Sequence, residues 1–509
     1  MIASRPPWDN SRMPQFDKLN DDVDCDVLVI GGGITGLSTA YLLKQTGQRV
    51  CLLERDRLAH GDTGCTTAHL AFVTDIRLPS LQRTFGSDRA RLAWQGGEAA
   101  INTIEQIVDQ EEIDCCFHRI PGFLQASLEL NRDETQELQE ECNLAQELGF
   151  AASFQATSPF SGQPAIRYAN QAKFDPLRYL AALAKAIPGD GSAIYEESAA
   201  TDFSADPLEA KANGHRINCH HLVIASHVPL MGQIGFFNAT LLQSKLAAYS
   251  TYAIGTKVPA ARYDEASYWD TSNPYYYLRI DHHADYDYAI FGGKDHRTGA
   301  ASDNRERFDA LAEILHKFIP EARVDRQWSG QVIETNDGLP YIGQTAERQF
   351  VATGFGGNGM TFGTLAAMLA CDWVLGAKNL WQDLLSVDRK PVTHAVDYVQ
   401  ENLSYPYHIV ADRFQRSEAR STREVKRGEG KLLRRDGQVI ACSRDETGKL
   451  SQVSAVCTHM GCLVHWNNAE HTWDCPCHGS RFQPSGDVLA GPAEEPLAQI
   501  KNQREAAVK

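Results

Sequence analysis

Val27-Leu28-Val29-Ile30-Gly31-Gly32-Gly33-Ile34-Thr35-Gly36 decides how the first part of this chain folds. Four consecutive apolar residues suit a strand buried on both faces. The glycines that follow fit the spacing G-x-G-x-x-G. Gly31 permits a tight turn, Gly33 lets main chain approach a pyrophosphate, and Gly36 lets a helix pack closely on the strand. Leu37 to Lys44 reads as that helix, with Gly47 near its C′ position. Ile34 and Thr35 open it, where free amides and the helix dipole favour phosphate. Arg49 to Leu53 is a second apolar strand, closed by Glu54, which would accept from a ribose hydroxyl, with Arg55 beside it. Strand, glycine turn, helix, strand and acid in this order are the context the glycine spacing requires.

Outward from this unit, 509 residues, 43% of them hydrophobic, allow about three domain-sized units or two large ones. Sixty-five acidic against 49 basic residues give a net charge of −16, which repels phosphate backbones, so no nucleic-acid partner is expected. No apolar run reaches the about 20 residues that span a bilayer. Met1 to Asp22 is polar and lacks the apolar core of a secretory signal. A soluble, cytoplasmic protein with no membrane span is the expectation. Thirteen cysteines form no disulfide-framework pattern.

Residues 87–112, 133–149 and 304–319 read as helices, and His220 to Ser226 as a further strand of the first sheet. Residues 245–295 are aromatic-rich and alternating, the pattern of an antiparallel sheet. Phe350 to Thr353 reads as a strand, followed by a glycine run and a helix from Thr361 to Leu375. That run, Gly354-Phe355-Gly356-Gly357-Asn358-Gly359, also fits G-x-G-x-x-G. The segment after its helix, Ala377 to Ser386, has no apolar strand ending in an acid, so a second dinucleotide unit is not expected. Gly356, Gly357, Asn358, Gly359 and Met360 instead read as a loop and helix N-terminus aimed at an electron-rich group such as a flavin pyrimidine edge.

Gly31 to Gly36 with Glu54, Trp328-Ser329-Gly330, Asp337-Gly338-Leu339-Pro340-Tyr341-Ile342-Gly343 and Thr353 to Met360 together resemble the D-amino-acid oxidase/glycine oxidase-like family of FAD-dependent oxidoreductases. The resemblance covers roughly 24–385. It implies FAD rather than NAD, held between a dinucleotide domain and a sheet-rich substrate domain, and oxidation of a C–N bond by hydride transfer to the flavin. The loop 61–69 matches the family's small-residue loop along the cofactor, making Thr66 and Thr67 contacts. Cys65 and His69 stand where some relatives attach the flavin covalently, although an ordinary loop role is the favoured reading.

Near the other end lie two short boxes, Cys457-Thr458-His459-Met460-Gly461-Cys462 and Cys475-Pro476-Cys477-His478-Gly479-Ser480. Each supplies one cysteine and one histidine, Cys457 with His459 and Cys475 with His478. Two thiolates on one iron and two imidazoles on the other are what a Rieske [2Fe–2S] centre needs. A Cys₂His₂ zinc site is the rival, but it leaves Cys462 and Cys477 without a role. The stretch from about 423 to 500 resembles Rieske domains, in which that second pair closes a disulfide between the cluster loops. The extra pair is similar to the electron-transfer branch of bc and b6f complexes. Ser480 is placed to donate to a cluster sulfur. Phe482 stands where that branch commonly has a tyrosine, which implies a lower potential within the broad range of about −150 to +300 mV.

The expected fold is therefore an α/β FAD-binding module, Rossmann-like with two subdomains, plus a small all-β Rieske domain. The expected division is a polar leader 1–23, a FAD module 24–388, a connecting segment 389–422 with a helical piece at Val396 to Leu403, and a Rieske domain 423–509. Within the FAD module, 24–85, 190–230 and 330–388 are assigned to dinucleotide binding, and 86–189 and 231–329 to the substrate sheet. The expected reaction is oxidation of a small amine or amino acid at FAD, with electrons relayed through the cluster to a soluble acceptor. Arg279 would clamp a substrate carboxylate, with Tyr277 beside it, and a turn carrying Lys294 and His296 would reach the flavin. The alternative is an electron-transfer reductase fed by NAD(P)H or a redox protein, and a third reading is a redox sensor. Anaerobic flavin bleaching by amines or by NADH separates the first two.

Overall fold

The computed structural model describes residues 4–8, 10–130, 132–229, 242–243, 245–301, 303–389, 417–435 and 437–500. The expected helical piece at Val396 to Leu403 lies outside the described residues.

Two sheets form the larger module. The first has eight strands, ordered Tyr341–Ala346, Gln349–Thr353, His215–Ile224, Val23–Ile30, Val50–Leu53, Ala193–Tyr195, with the hairpin Thr201–Ala205/Leu208–Ala212 attached to His215–Ile224. Its central pairs are parallel, and Ile30 sits level with both Leu53 and Ile224. Three apolar strands thus end together, and their turns open on one crevice. Val27, Leu28 and Val29 are fully buried, as a strand covered on both faces requires.

The second sheet has nine strands, ordered Arg323–Thr335, Leu246–Pro259, Tyr286–Arg297, Tyr277–His282, Ser267–Asp270, His118–Gln125, Ala165–Lys173, His69–Leu70, with Ala152–Gln155 beside Ala165–Lys173. All of its pairs are antiparallel except Ser267–Asp270 with His118–Gln125. The strand Arg323–Thr335 runs unbroken across residue 330, so the chain leaves this sheet only after Thr335. The helix Arg305–Phe318 buries Phe308, Leu311, Ile314 and Leu315 on this sheet at helical spacing. The helices Ile34–Gln45 and Gly359–Val374 lie side by side: a Cβ on Gly363 would come within 2.8 Å of Thr35 Oγ1. Gly96, in the helix Ser87–Gln110, faces Leu365 in the same way. This helix therefore packs against the dinucleotide side, although it lies in the segment assigned from sequence to the substrate domain.

The polar leader is anchored. Trp8 Nε1 donates to Thr66 O at 2.7 Å, Phe16 N to Glu196 Oε2 at 2.8 Å, and Leu19 N to Ser198 Oγ at 2.9 Å. Leu19 is buried and Trp8 packs on the first core. A few apolar anchors in a polar stretch suffice for this, and composition does not reveal them.

The carboxy-terminal unit is all β. It has a three-stranded sheet, Gly430–Arg435, Gln438–Arg444 and Leu450–Ser454, and a four-stranded one, His465–Asn467, Thr472–Asp474, Arg481–Phe482 and Val488–Ala490. Trp473 and Phe482 are fully buried among Val453, Leu463 and the four box cysteines. No helix among the described residues is long and apolar enough to cross a membrane.

Candidate functional site

At the ends of the parallel strands lies a cavity of about 1050 Å³, lined by both sheets and by the small domain. The glycine turn forms one wall. Gly31 has φ +109°, and a Cβ there would sit 2.4 Å from Ala225 O. A Cβ on Gly36 would sit 1.8 Å from Gly31 O, so only glycine lets the helix start here. Gly33, the N-cap residue, has no side chain to cap the helix, and Ile34 N donates instead to Thr63 Oγ1 at 3.2 Å. Glu54 accepts from Gly32 N at 2.7 Å and from Asp56 N at 2.8 Å, and burial raises its carboxyl pKa. Glu54 thus braces the glycine turn while lining the cavity. Arg55 reaches away, donating to Leu489 O of the small domain at 2.6 Å.

The loop 61–69 runs along the cavity. Asp62 Oδ1 accepts from Gln331 N at 2.7 Å, Thr66 Oγ1 from Ala68 N at 3.0 Å, and Thr67 Oγ1 lies 3.1 Å from His69 Nδ1. Burial pushes the Cys65 thiol up to about 12 and the His69 imidazole down to about 4, so neither is set up as a nucleophile or a cation. The second glycine loop meets a residue that sequence reasoning missed, Asp75. Gly357 N donates to Asp75 Oδ2 at 2.5 Å, Asp75 N donates to Asn358 Oδ1 at 3.1 Å, and Asn358 Nδ2 donates to Val73 O at 3.0 Å. Gly357 and Asn358 therefore grip the 73–75 segment. Gly356, Gly359 and the buried Met360 remain on the cavity wall.

Of the four catalytic candidates, Tyr277 alone lines this cavity. Its hydroxyl lies 3.2 Å from Thr251 Oγ1. Arg279 lies behind the wall, 2% exposed. It donates to Asp281 at 2.8 Å, to Ala68 O at 2.9 Å, to Phe174 O at 3.1 Å and to Thr67 O at 3.2 Å. These bonds corner the 67–68 loop and leave no fork for a substrate carboxylate. Lys294 is paired with Glu129 at 2.9 Å, and His296 stacks on Tyr252 with its imidazole lowered to about 4 by burial.

The expected turn at 292–296 is a β-bulge inside the strand Tyr286–Arg297. Pairing with the neighbouring strand jumps between Ser250↔His296 and Tyr252↔Gly293. Gly293 and Lys294 take φ +141° and +59°. A bulge re-aims side chains, and here it brings Asp295 to the cavity. Asp295 Oδ1 is buried with no hydrogen-bond partner, and burial pushes its carboxyl up to about 7. Gly292 leaves room for Tyr277: a Cβ there would fall 2.2 Å from the phenol ring.

The two boxes adopt matching loops. Cys457 N donates to Cys462 O and Cys475 N to Ser480 O, both at 2.8 Å, while Gly461 N and Gly479 N return to Cys457 O and Cys475 O, both at 3.0 Å. Gly461 and Gly479 both take φ +76°. Cys462 and Cys477 are joined by a disulfide between the loops. The His459 and His478 rings stand perpendicular, 4.8 Å apart. Burial holds both imidazoles neutral, His459 near about 4 and His478 near about 3. The Cys475 contact pulls the Cys457 thiol down to about 7, helped by Ser480, while Cys475 itself is raised. Two facing thiols and two neutral imidazoles converging from two loops are a donor set that fits a Rieske cluster. Phe482 offers no hydroxyl and is buried.

These loops seat on the larger module. Gln331 Nε2 donates to Gly479 O at 2.8 Å and to Thr298 Oγ1 at 3.2 Å. A Cβ on Gly479 would lie 2.2 Å from Ala248 Cβ. His459 Nε2 lies 3.1 Å from Gln243 Oε1, whose amide is oriented by Nε2 donating to Pro229 O at 2.7 Å. In that arrangement His459 Nε2 donates outward, leaving Nδ1 for iron.

A glycine cradle, an acid-closed second strand and a sheet wall over one crevice, joined to a two-loop Cys/His centre, define a flavin oxidoreductase carrying its own iron–sulfur domain. The chain belongs to the FAD dependent oxidoreductase family, whose model matches residues 26–373, and a Rieske [2Fe-2S] domain matches residues 415–501. FAD and a Rieske cluster are its cofactors. Along nearly its whole length it is similar to the putative Rieske 2Fe-2S iron-sulfur protein YhfW of Bacillus subtilis (strain 168), 33% identical over 502 residues, with 97% of each chain covered. The gamma-glutamylputrescine oxidoreductase of Escherichia coli (strain K12) is 25% identical over 384 residues, 71% of this chain and 86% of that one. In fold, glycine oxidase from Geobacillus kaustophilus matches 72% of this chain and 99% of its own with a TM-score of 0.60 at 19% identity.

Proposed function

We propose that this enzyme oxidises the C–N bond of a small amine or amino acid and passes the electrons through its Rieske cluster to a soluble acceptor. The observation that carries the reading is the seating of the cluster loops on the cavity wall. Gln331 binds the carbonyl of Gly479, next to the ligand candidate His478, and its own backbone N–H is held by Asp62 on the cavity loop. Gly330 and Trp328 of the same strand line the cavity. A hydrogen-bonded path through Asp62, Gln331 and Gly479 therefore links the cavity loop to the cluster loop.

Gly31, Gly33, Ile34, Thr35 and Gly36 would hold the FAD pyrophosphate, Glu54 the ribose, and Thr66, Thr67 and the 356–360 loop the flavin end. Cys457, His459, Cys475 and His478 would hold the cluster. When bound, FAD accepts a hydride from the carbon next to nitrogen and the cluster takes electrons singly. The amine gives up a proton to water, and the resulting imine takes up water to leave a carbonyl and ammonia or an amine. The chain's part is to enclose the substrate under Tyr275, Tyr277 and Trp269 and to fix the cluster loops through Gln331 and Gln243.

Anaerobic titration tests this. Flavin bleaching by amines or amino acids should be followed by the EPR signal of the reduced cluster in the same sample. Prompt bleaching by NADH with none by any amine or amino acid overturns the oxidation. Bleaching that leaves the cluster oxidised overturns the relay.

A further inference from the structure

We propose that the substrate is an amine without a carboxylate, a diamine or polyamine in class, with a non-reacting cationic nitrogen held by Asp295 and Asp75. This rests on the amine-oxidation reading above and narrows it.

The first observation concerns cations. Among the described residues lining the cavity, each arginine is engaged. Arg55 donates to Leu489 O, Arg77 to Glu141 at 2.8 and 2.5 Å, and Arg481 to Glu470 at 2.5 Å with Asp474 at 3.3 Å. Arg279 lies behind the wall on main-chain carbonyls. His69 is neutral, and His227 and His60 stand 3.7 and 3.5 Å from Asp62 and Asp56. Arg77, Arg279 and Arg481 thus have no bidentate fork left for a substrate carboxylate, and Arg55 turns its Nη2 to the small domain.

The second concerns anions. The bulge in Tyr286–Arg297 delivers Asp295 with Oδ1 buried and unpartnered. Asp75 stands nearby, with Tyr275 OH donating to it at 2.9 Å, and both acids line the cavity. A buried carboxylate with an empty lone-pair direction is costly until a cation or donor meets it. Tyr275, Tyr277 and Trp269 add aromatic surface of the kind that attracts an ammonium group.

The third is chemical. The reacting nitrogen must be neutral when hydride leaves its carbon, so carboxylates that stabilise a standing positive charge serve a second nitrogen. A molecule with two amines meets both demands, whereas an α-amino acid would bring its carboxylate to a wall of acids.

The test uses the full-length holoenzyme, chemically reduced so that no turnover occurs, titrated anaerobically by calorimetry. The proposal expects 1,4-diaminobutane to bind and glycine and 4-aminobutyrate to give no heat. Asp295→Asn and Asp75→Asn should each weaken diamine binding, counted per bound flavin, by at least about tenfold. With oxidised enzyme, 1,4-diaminobutane should bleach the flavin. Glycine binding in place of the diamine, or undiminished diamine binding in both variants, overturns the proposal. Bleaching by amino acids and not by diamines sinks this substrate class and leaves C–N oxidation standing. Bleaching by NADH alone sinks the underlying reading. The wild-type selectivity decides the matter even if a variant fails to fold.

Discussion

The cluster centre draws its four candidate ligands from one stretch, Cys457 to His478, held by two loops with the same hydrogen-bond pattern. The cavity at the ends of the parallel strands draws its polar wall from Asp75, Thr251, Tyr275, Tyr277 and Asp295, carried by separate strands and loops. In the first, local loop geometry aims the donors. In the second, strand register and a bulge do so. A centre of the first kind fails when a ligand is changed, and one of the second kind when a pairing or a neighbour shifts.

The largest effect expected on this contrast comes from Cys457→Ser. It should abolish the cluster, read as loss of iron and of the reduced-cluster EPR signal, while FAD content and substrate bleaching of the flavin survive. Loss of FAD along with the cluster would show that the two centres are not separately built.

Gly479→Val strikes the seam between them. Its side chain would enter the space of Ala248 and impose a β-branched residue at φ +76°. Stopped-flow mixing should show flavin-to-cluster transfer slowed by about tenfold or more, with the initial bleaching rate kept. An unchanged rate would mean this contact is not on the electron path.

Arg279→Met should lower stability by about 1–3 kcal/mol, because it leaves the carbonyls of Thr67, Ala68 and Phe174 without their donor while Asp281 keeps Lys173 at 2.8 Å. Thermal unfolding of the holoenzyme measures this. A carboxylate clamp would instead show as a raised KM at normal stability.

The pH dependence of the cavity follows from Asp295, whose carboxyl is raised from 3.8 to about 7 by burial, against the lowering pull of Thr251 and with Asp75 adding to the rise. Tyr275 and Tyr277 also face it and stay protonated, being raised themselves. Asp295 is neutral below about 7 and anionic above it, so diamine affinity should climb about tenfold per pH unit up to that point and then level. Asp295→Asn should flatten the climb. Stability runs the other way: the folded state holds this proton where the unfolded chain has released it, so the ligand-free enzyme loses stability between pH 3.8 and about 7 as pH rises.

The smallest effect is expected for Lys294→Met. Lys294 is half-buried against Glu129, outside the cavity, and kcat/KM should change by less than about twofold. A larger loss would bring Lys294 back as a site residue.

The glycine turn and Cys/His boxes were readable because each fixes local backbone: a helix start that only glycine allows, or loops whose donors lie a few residues apart. Asp75 and Asp295 were hidden for the opposite reason. Neither belongs to a periodic pattern, and Asp295 reaches the cavity only through the register jump opposite Ser250 and Tyr252. Arg279 misled because an arginine among tyrosines in a strand resembles a clamp until its four partners are seen. Asp337-Gly338-Leu339-Pro340 shows in the sequence only a family resemblance. In the fold it is gripped by Arg389, whose Nε donates to Asp337 Oδ2 at 2.7 Å and whose guanidinium covers Tyr341 at 3.9 Å.

By itself the sequence determined the parallel sheet around Val27 to Ile30, the glycine cradle and the paired Cys/His loops, because short-range sterics and donor spacing admit few other outcomes. Tertiary structure alone decided what engages each arginine at the cavity, which carboxylates reach it, and that Gln331 and Gln243 carry the cluster loops. These depend on long-range packing, where a partner far along the chain engages or frees a polar group, and no local pattern records that choice.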